Sequence, residues 1–167
     1  ALTAGAGLVN DVSGLRYDPA LADVVARHCA AIVLMHTRGR SRQMYEQASY
    51  HDVIAEVLDE LRESVAFATT AGIAAERIIL DPGLGFAKEA AHSYEALARL
   101  DECAELGRPL LVGPSRKSFL ARPLGGLLPA PDRDWATAAA VASAVLSGVH
   151  IVRVHAVREM LQVVRVA

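Results

Sequence analysis

The sequence predicts an α/β fold of repeated strand–helix units. Three observations carry this: five short apolar runs that end in polar or glycine residues, helical-period segments between them, and an interior rich in alanine and valine. Aromatic residues make up only 5% of the 167 residues, so small and branched side chains must fill the interior, as in parallel sheets covered by helices. With 53% hydrophobic and 22% charged residues, the chain can bury the core of one ordinary globular domain.

The runs are Leu8 to Asp11, Ile32 to His36, Ile78 to Asp81, Leu110 to Gly113 and Ile151 to His155. Each is short and apolar throughout, the pattern of a fully buried parallel strand. Ala1 to Gly7 reads as the tail of a helix whose strand lies upstream. The first helix is expected to open with Asp18 as N-cap and Pro19 at its first position, followed by Leu21, Val24, Val25 and His28. His51 to Ala71 sets Ile54, Val57, Leu58, Leu61, Val65 and Ala68 on one face and stops at Gly72, a left-handed cap. Ser93 to Leu106 and Asp134 to Ser147 end in the same way at Gly107 and Gly148. Leu124 to Asp132, rich in Gly and Pro, reads as a long loop and not a boundary, so residues 1–167 are expected to form one domain.

Repeated βα units build either an open doubly wound sheet or a closed (β/α)8 barrel. In the open sheet ligand groups gather at a switch point, whereas every barrel strand can contribute at its C-terminal rim. Asn10 and Asp11, His36, Asp81, Ser115 to Lys117, and Arg153 with His155 lie at or just beyond the ends of all five runs, which favours a barrel. A barrel takes about 250 residues, so five units would form only part of one.

Charge and composition narrow the partners. A net charge of −2 leaves no broad basic field, which argues against nucleic acid or an anionic membrane. Trp135 to Val152 is uncharged, but Gly148 divides a helical half from a β-branched half, so it reads as a buried helix followed by a buried strand. Cys29 and Cys103 have no metal or redox spacing and read as reduced packing residues. With no leader-like segment, the expected location is cytoplasmic.

Five motifs then stand in order: Asn10-Asp11-Val12-Ser13-Gly14, Met35-His36 with Arg38-Gly39, Asp81 to Lys88 (Asp-Pro-Gly-Leu-Gly-Phe-Ala-Lys), Ser115-Arg116-Lys117-Ser118-Phe119, and Arg153-Val154-His155. Together they resemble the dihydropteroate synthases, pterin-binding TIM barrels, across the whole chain. The resemblance implies a partial barrel of five βα units corresponding to strands 4 to 8. The family's first three strands, two mobile loops, a third-strand aspartate and a strand-one asparagine that helps hold magnesium diphosphate would then be missing. Its reaction joins 4-aminobenzoate to 6-hydroxymethyl-7,8-dihydropterin diphosphate and releases diphosphate, and with those parts missing this chain alone is expected to show little or no turnover. Magnesium is implied with the diphosphate, and this chain lacks the family's protein ligand for it.

By this resemblance Asn10, Asp81 and Lys117 line the pterin pocket, and Met35 and Phe86 wall it. A pterin offers a 2-amino group and a ring N–H that a carboxylate such as Asp81 accepts as a fork. The plainer readings are a turn cap for Asp81, an Asx turn for Asn10, a solvated lysine for Lys117 and core packing for Met35 and Phe86. Arg153 and His155 share one strand face ahead of a helix start, an arrangement suited to an anion, and in the family they bind the leaving diphosphate. Lys117, Arg153 and His155 are thus the expected catalytic residues. Ser118 matches the position that meets the 4-aminobenzoate carboxylate, with Arg116 and Lys117 beside it; an N-cap role is the alternative.

His36 is expected at the rim without a metal, and Arg38, Arg40 and Arg42 as a solvated charge run. Ala156 stands where the family has a helix-capping aspartate, which puts the geometry of Arg153 and His155 in question. Ala87 replaces a frequent glycine and is expected to be neutral. The competing functions are a methyltransferase-type pterin-binding barrel and a non-catalytic assembly module. Bare strand edges predict a homo-oligomer.

Overall fold

The computed structural model describes residues 1–40, 44–126 and 128–167. Strands β1 (Leu8–Asp11), β2 (Ala31–Met35), β3 (Ile78–Asp81), β4 (Leu111–Val112) and β5 (Ile151–Val152) alternate with helices α1 (Leu21–Arg27), α2 (Val53–Thr70), α3 (Ala90–Ala98), α4 (Asp134–Leu146) and α5 (Val157–Val166). β1, β2 and β3 pair in parallel, as do β4 and β5. A parallel bridge from Leu80 to Leu110, with Leu80 N–H donating to Pro109 O at 2.9 Å, connects the two sets. Strands adjacent in the chain are therefore adjacent in the sheet. Among the described strands the order never reverses, so no switch point of the doubly wound kind arises.

The last two strands are shorter than the apolar runs. Pro114 has no N–H to continue a ladder after Gly113, and His155 N–H donates to Ser115 Oγ at 3.1 Å instead of to a strand. Arg153 N–H still donates to Val112 O at 2.8 Å. Burial is also less complete than the apolar runs suggest. β2 and β3 are buried along most of their length, but Leu8 is 44% and Ile151 38% exposed. Among the described residues β1 and β5 each have a strand neighbour on one side only, and an edge strand without a covering layer keeps one flank in solvent.

α2 follows its sequence pattern closely. Asp52 accepts from Ile54 N–H and Ala55 N–H, both at 3.1 Å, and caps the helix. Ile54, Val57, Leu58, Leu61 and Ala68 are buried against Ile32, Leu34, Ile78 and Leu80 of the sheet, each large apolar side chain contributing about 1.5–3 kcal/mol. Gly72, at φ +91°, lets the chain turn back.

Other elements differ from their expected form. Asp18 accepts from Ala20 N–H at 3.2 Å and closes a turn, so α1 starts at Leu21 and not Pro19. Cys29 is exposed at φ +48°, not a packing residue, while Cys103 is buried. Ala1 to Gly7 contains a single 3-10 turn, Leu2–Ala4. The helix expected over Ser93 to Leu106 divides into α3 and a 3-10 segment, Leu100–Leu106, at Arg99, whose guanidinium is drawn to Asp52, Glu95 and Glu102. The Leu124 to Asp132 loop is partly taken up by 3-10 turns over Ser118–Leu124 and Ala130–Arg133. α4 buries Thr137, Ala140, Val141 and Ala144 but leaves Trp135 89% and Leu146 74% exposed, so it is buried on one face only. Among the described residues no helix is long and apolar enough to cross a membrane.

Candidate functional site

Side chains alternate across a strand, and residues in the same register row point the same way. Asn10 pairs with Val33 and Met35 with Asp81, so these four share one sheet face. Leu111 pairs with Ile151, and two residues onward Gly113 and Arg153 keep that parity. The helix-packed core draws on the opposite face, through Ile32, Leu34, Ile78, Leu80, Leu110 and Val112. Period two thus gathers Asn10, Met35, Asp81 and Arg153 on the side away from the helices.

Asp81 ends β3 and is 2% exposed. Its carbonyl accepts from His36 N–H at 2.8 Å and its Oδ1 from Gly83 N–H at 2.7 Å. The turn-cap reading therefore holds, and it uses one carboxylate oxygen. Burial raises the Asp81 pKa, opposed by the Gly83 N–H and the charges of Lys117, Arg153 and Lys88. Only glycine fits at position 83: φ is +70° and a Cβ would stand 2.0 Å from His36 O.

Lys117 is not a solvated lysine. Its Nζ donates to Leu84 O and lies 3.7 Å from the centroid of the half-buried Phe86 ring. Burial lowers its pKa to about 8, with Asp81 opposing and Arg153 adding to the shift. Met35 is buried at 1% exposure, its side chain beside Gly83.

Arg153 lies against Gly113, where a Cβ would meet Nη2 at 3.0 Å. Ser115 Oγ accepts from His155 N–H at 3.1 Å and lies 2.9 Å from His155 Nδ1, a hydrogen bond whose direction follows the ring tautomer. α5 has no side-chain cap, but Ser115 anchors His155 from the neighbouring strand end, and the Arg153 backbone N–H is held by Val112 O. Arg116, at φ +59°, is engaged by Asp134 through Nε and Nη2, each at 2.8 Å. Ser118 is exposed and is not an N-cap, that position being Lys117. It borders a cleft of about 570 Å³ shared with Tyr45, Gly85, Lys88 and Arg122.

Sequence reasoning gave Lys88 no role. It is 1% exposed, and its Nζ donates to His36 Nδ1 at 2.7 Å, Phe86 O at 3.3 Å and Gly83 O at 3.4 Å. His36 is therefore interior, not at the rim. Its Nε2 lies 3.2 Å from Glu60 Oε2, within charge contact but without the alignment of a made hydrogen bond. Glu60 also accepts from Arg16 at 2.7 Å and from Arg38 Nε at 2.8 Å, and Arg38 stacks 4.1 Å over the Tyr50 ring. Arg38 is thus a partly buried structural group and not part of a solvated run; Arg42 lies outside the described residues.

Burial and then the Lys88 charge lower His36 to about 4, and burial lowers Lys88 to about 7. Burial alone would raise Glu60, but contacts from His36, Arg38 and Arg16 hold it well below the usual carboxylate range. Ala87 sits at φ +46°, so the change from glycine is not neutral and costs about 1–2 kcal/mol. The one sequence signal for this network was a lysine inside a Gly-rich loop with no helical face to join.

A family model described as pterin binding enzyme matches residues 1–155. The chain belongs to that family. Over 170 residues it is 45% identical to the dihydropteroate synthase of Synechocystis sp., covering 100% of this chain and 57% of the relative. It is likewise 45% identical to the Mycobacterium leprae enzyme, over 99% of this chain and 60% of the relative. The Yersinia pestis dihydropteroate synthase, solved with a sulfonamide drug complex, superposes with a TM-score of 0.94 at 33% identity, covering 99% of this chain and 59% of that one. The Thermus thermophilus enzyme in complex with 6HMPPP gives 0.92 at 40% identity, over 99% and 64%. The chain spans less than two thirds of the length of these relatives.

Proposed function

We propose that the chain is the C-terminal portion of a dihydropteroate synthase, strands 4 to 8 of a (β/α)8 barrel in one domain over residues 1–167, acting in cytoplasmic folate synthesis. The observation that carries this reading is the buried Asp81 carboxylate on a sheet face shared with Asn10, Met35 and Arg153, within the fields of Lys117 and Arg153. Relatives solved with 6HMPPP and with 4-aminobenzoate support the two substrates.

Asp81 would accept the pterin 2-amino and ring N–H donors, Asn10 would meet other ring heteroatoms, and Lys117 would donate to the opposite edge beside Phe86 and Met35. As the C–O bond to diphosphate breaks, Arg153 and His155 would stabilise the charge gathering on the leaving oxygens. The 4-aminobenzoate nitrogen then forms the C–N bond and loses a proton. Its carboxylate would sit at Ser118, with Arg122 across the cleft; Arg116, tied to Asp134, is the weaker partner.

The residues present do not fit a resident magnesium ion. Among the described residues no three His, Cys, Asp or Glu side chains group around one point and Asp134 is committed to Arg116, so a magnesium ion would arrive with the diphosphate and be held mainly by its oxygens and water. No step here depends on it.

Calorimetric titration of the chain with 6-hydroxymethylpterin tests the pocket. Asp81→Ala and Lys117→Ala should each cost about 2–5 kcal/mol of affinity; values within twofold of the parent for both would overturn the assignment. We propose also that the open edges of β1 and β5 are covered by a second copy. Sedimentation equilibrium at low micromolar concentration should show a dimer, and a cooperatively folded monomer there would refute it.

A further inference from the structure

We propose that Lys88 is a positioning residue of this site: its buried ammonium ties residues 83–86 to His36 and thereby sets where Phe86 and Lys117 stand against Asp81. Only the identity of the ligand rests on the pterin reading above.

Residues 82–87 lie between β3 and α3 and belong to no helix or strand. Gly83, Gly85 and Ala87 all have left-handed backbone, so no helix or strand ladder holds the segment. Gly85 N–H donates to Ser93 Oγ at 3.1 Å and Ala87 O accepts from Tyr50 OH at 2.8 Å, which leaves the Gly83 and Phe86 carbonyls to Lys88. A lysine ammonium has three donors, and Lys88 directs them at three acceptors: His36 Nδ1, Gly83 O and Phe86 O. The two carbonyls stand at opposite ends of the loop, which Phe86 N–H closes by donating to Gly83 O at 2.9 Å. His36, the third anchor, holds the Asp81 carbonyl through its own N–H. The end of β2, the loop and Asp81 are therefore one hydrogen-bonded unit centred on Nζ.

The loop in turn places the ligand-facing groups. Leu84 O receives the Lys117 ammonium, and the Phe86 ring lies under it. The charged groups acting on Lys88 are Asp81 and Glu60, which favour its cationic form, and Lys117 and Arg38, which oppose it. An apolar side chain of the same length would fill the space without burying a charge. What it would not supply is the three-way tie.

The test uses the 167-residue chain. In Lys88→Met, amide exchange followed by NMR should show Phe86 N–H losing at least tenfold protection while Ile54 to Leu61 of α2 stay protected. The Lys117 Nζ resonance should titrate lower than in the parent once its carbonyl acceptor is loosened, because that hydrogen bond favours the ammonium; a rise, which loss of the Lys88 charge alone would give, counts against the tie. If Lys88→Met does not fold, the same measurements go to Lys88→Met in a His36→Leu background, which leaves no unpaired buried polar group at position 36. Unchanged Phe86 protection and an unchanged Lys117 midpoint in a folded variant would overturn the proposal. Titration with 6-hydroxymethylpterin separates the two readings. Parent binding weakened at least tenfold by the variant supports both. Equal binding by both proteins would sink the positioning role. A parent that does not bind defeats the pterin assignment, and the exchange and Lys117 measurements still decide on Lys88.

Discussion

Replacing Glu60 by Gln keeps the shape of the side chain and removes the charge on which Arg16, Arg38 and His36 converge. Removing one partner of a fully buried ion pair costs about 3–5 kcal/mol, and a surface pair is worth about 0–1. Glu60 and Arg38 are 21% and 20% exposed and Arg16 35%, so the cluster lies between those limits. Arg38 also keeps Glu56, at 2.7 Å, and the Ser49 carbonyl. The expected loss is about 2 kcal/mol at pH 7, a fall in melting temperature of about 4–8 °C for a chain of this size. The pH dependence follows from the depressed Glu60 carboxyl. Its contribution is fully present above the unfolded value and is lost as pH falls toward the folded one. Parent and variant should therefore converge below about pH 4.5. His36, neutral in the fold to about 4, destabilises both proteins alike as pH drops from 6.5 to that value; because Glu60 raises it, its contribution differs between them only below about 4. Thermal unfolding by circular dichroism at pH 7, 4.5 and 3.5 is the assay. Melting temperatures within about 1 °C at pH 7, or a gap that fails to narrow at pH 3.5, would refute the reasoning.

Two further outcomes are expected. Diphosphate should raise the melting temperature of the parent, less so as salt increases, and leave Arg153→Ala unmoved; equal shifts in both proteins would place the anion elsewhere. Gly83→Ala sets a Cβ 2.0 Å from His36 O at φ +70°, so it should lose more than about 3 kcal/mol in urea unfolding, and a loss below about 1 would show that the turn relaxes freely.

What the sequence disclosed, and what it hid, divides by the range of the interaction. α2 was legible because its face repeats every turn, Asp52 caps it and Gly72 ends it, all local signals. Asn10, Asp81, Ser115 to Lys117 and Arg153 were legible because apolar runs end at them, and a strand end is a local feature too. Burial at β1 and β5 was overstated, since a run of valines and leucines carries no mark of which flank lacks a neighbour. The pairing of Arg116 with Asp134, 18 positions apart, and the seating of Arg38 on Glu60 and Tyr50 depend on packing between elements. His36 and Lys88 are 52 positions apart, and nothing in either neighbourhood announces the other.

Three titratable groups around the 82–86 loop, and Lys117 beside them, share a direction that bears on why they are there. His36 and Lys88 are lowered and Asp81 is raised, burial being the first cause in each case. Each shift is toward the neutral form, so each group makes the fold less stable than it would be with that charge in water. Replacement of such groups by well-packed apolar residues is often neutral or stabilising, and packing alone does not account for keeping three of them on one loop. Glu60 is the contrast: its partners outweigh its burial, and its charge supports the fold. The network thus changes character along its length, from a stabilising ion cluster at Arg16, Arg38 and Glu60 to a costly buried set at His36, Lys88 and Asp81. The costly end is the one that reaches the pocket proposed for the pterin, and perturbed groups gather where a site needs a fixed arrangement of donors and acceptors.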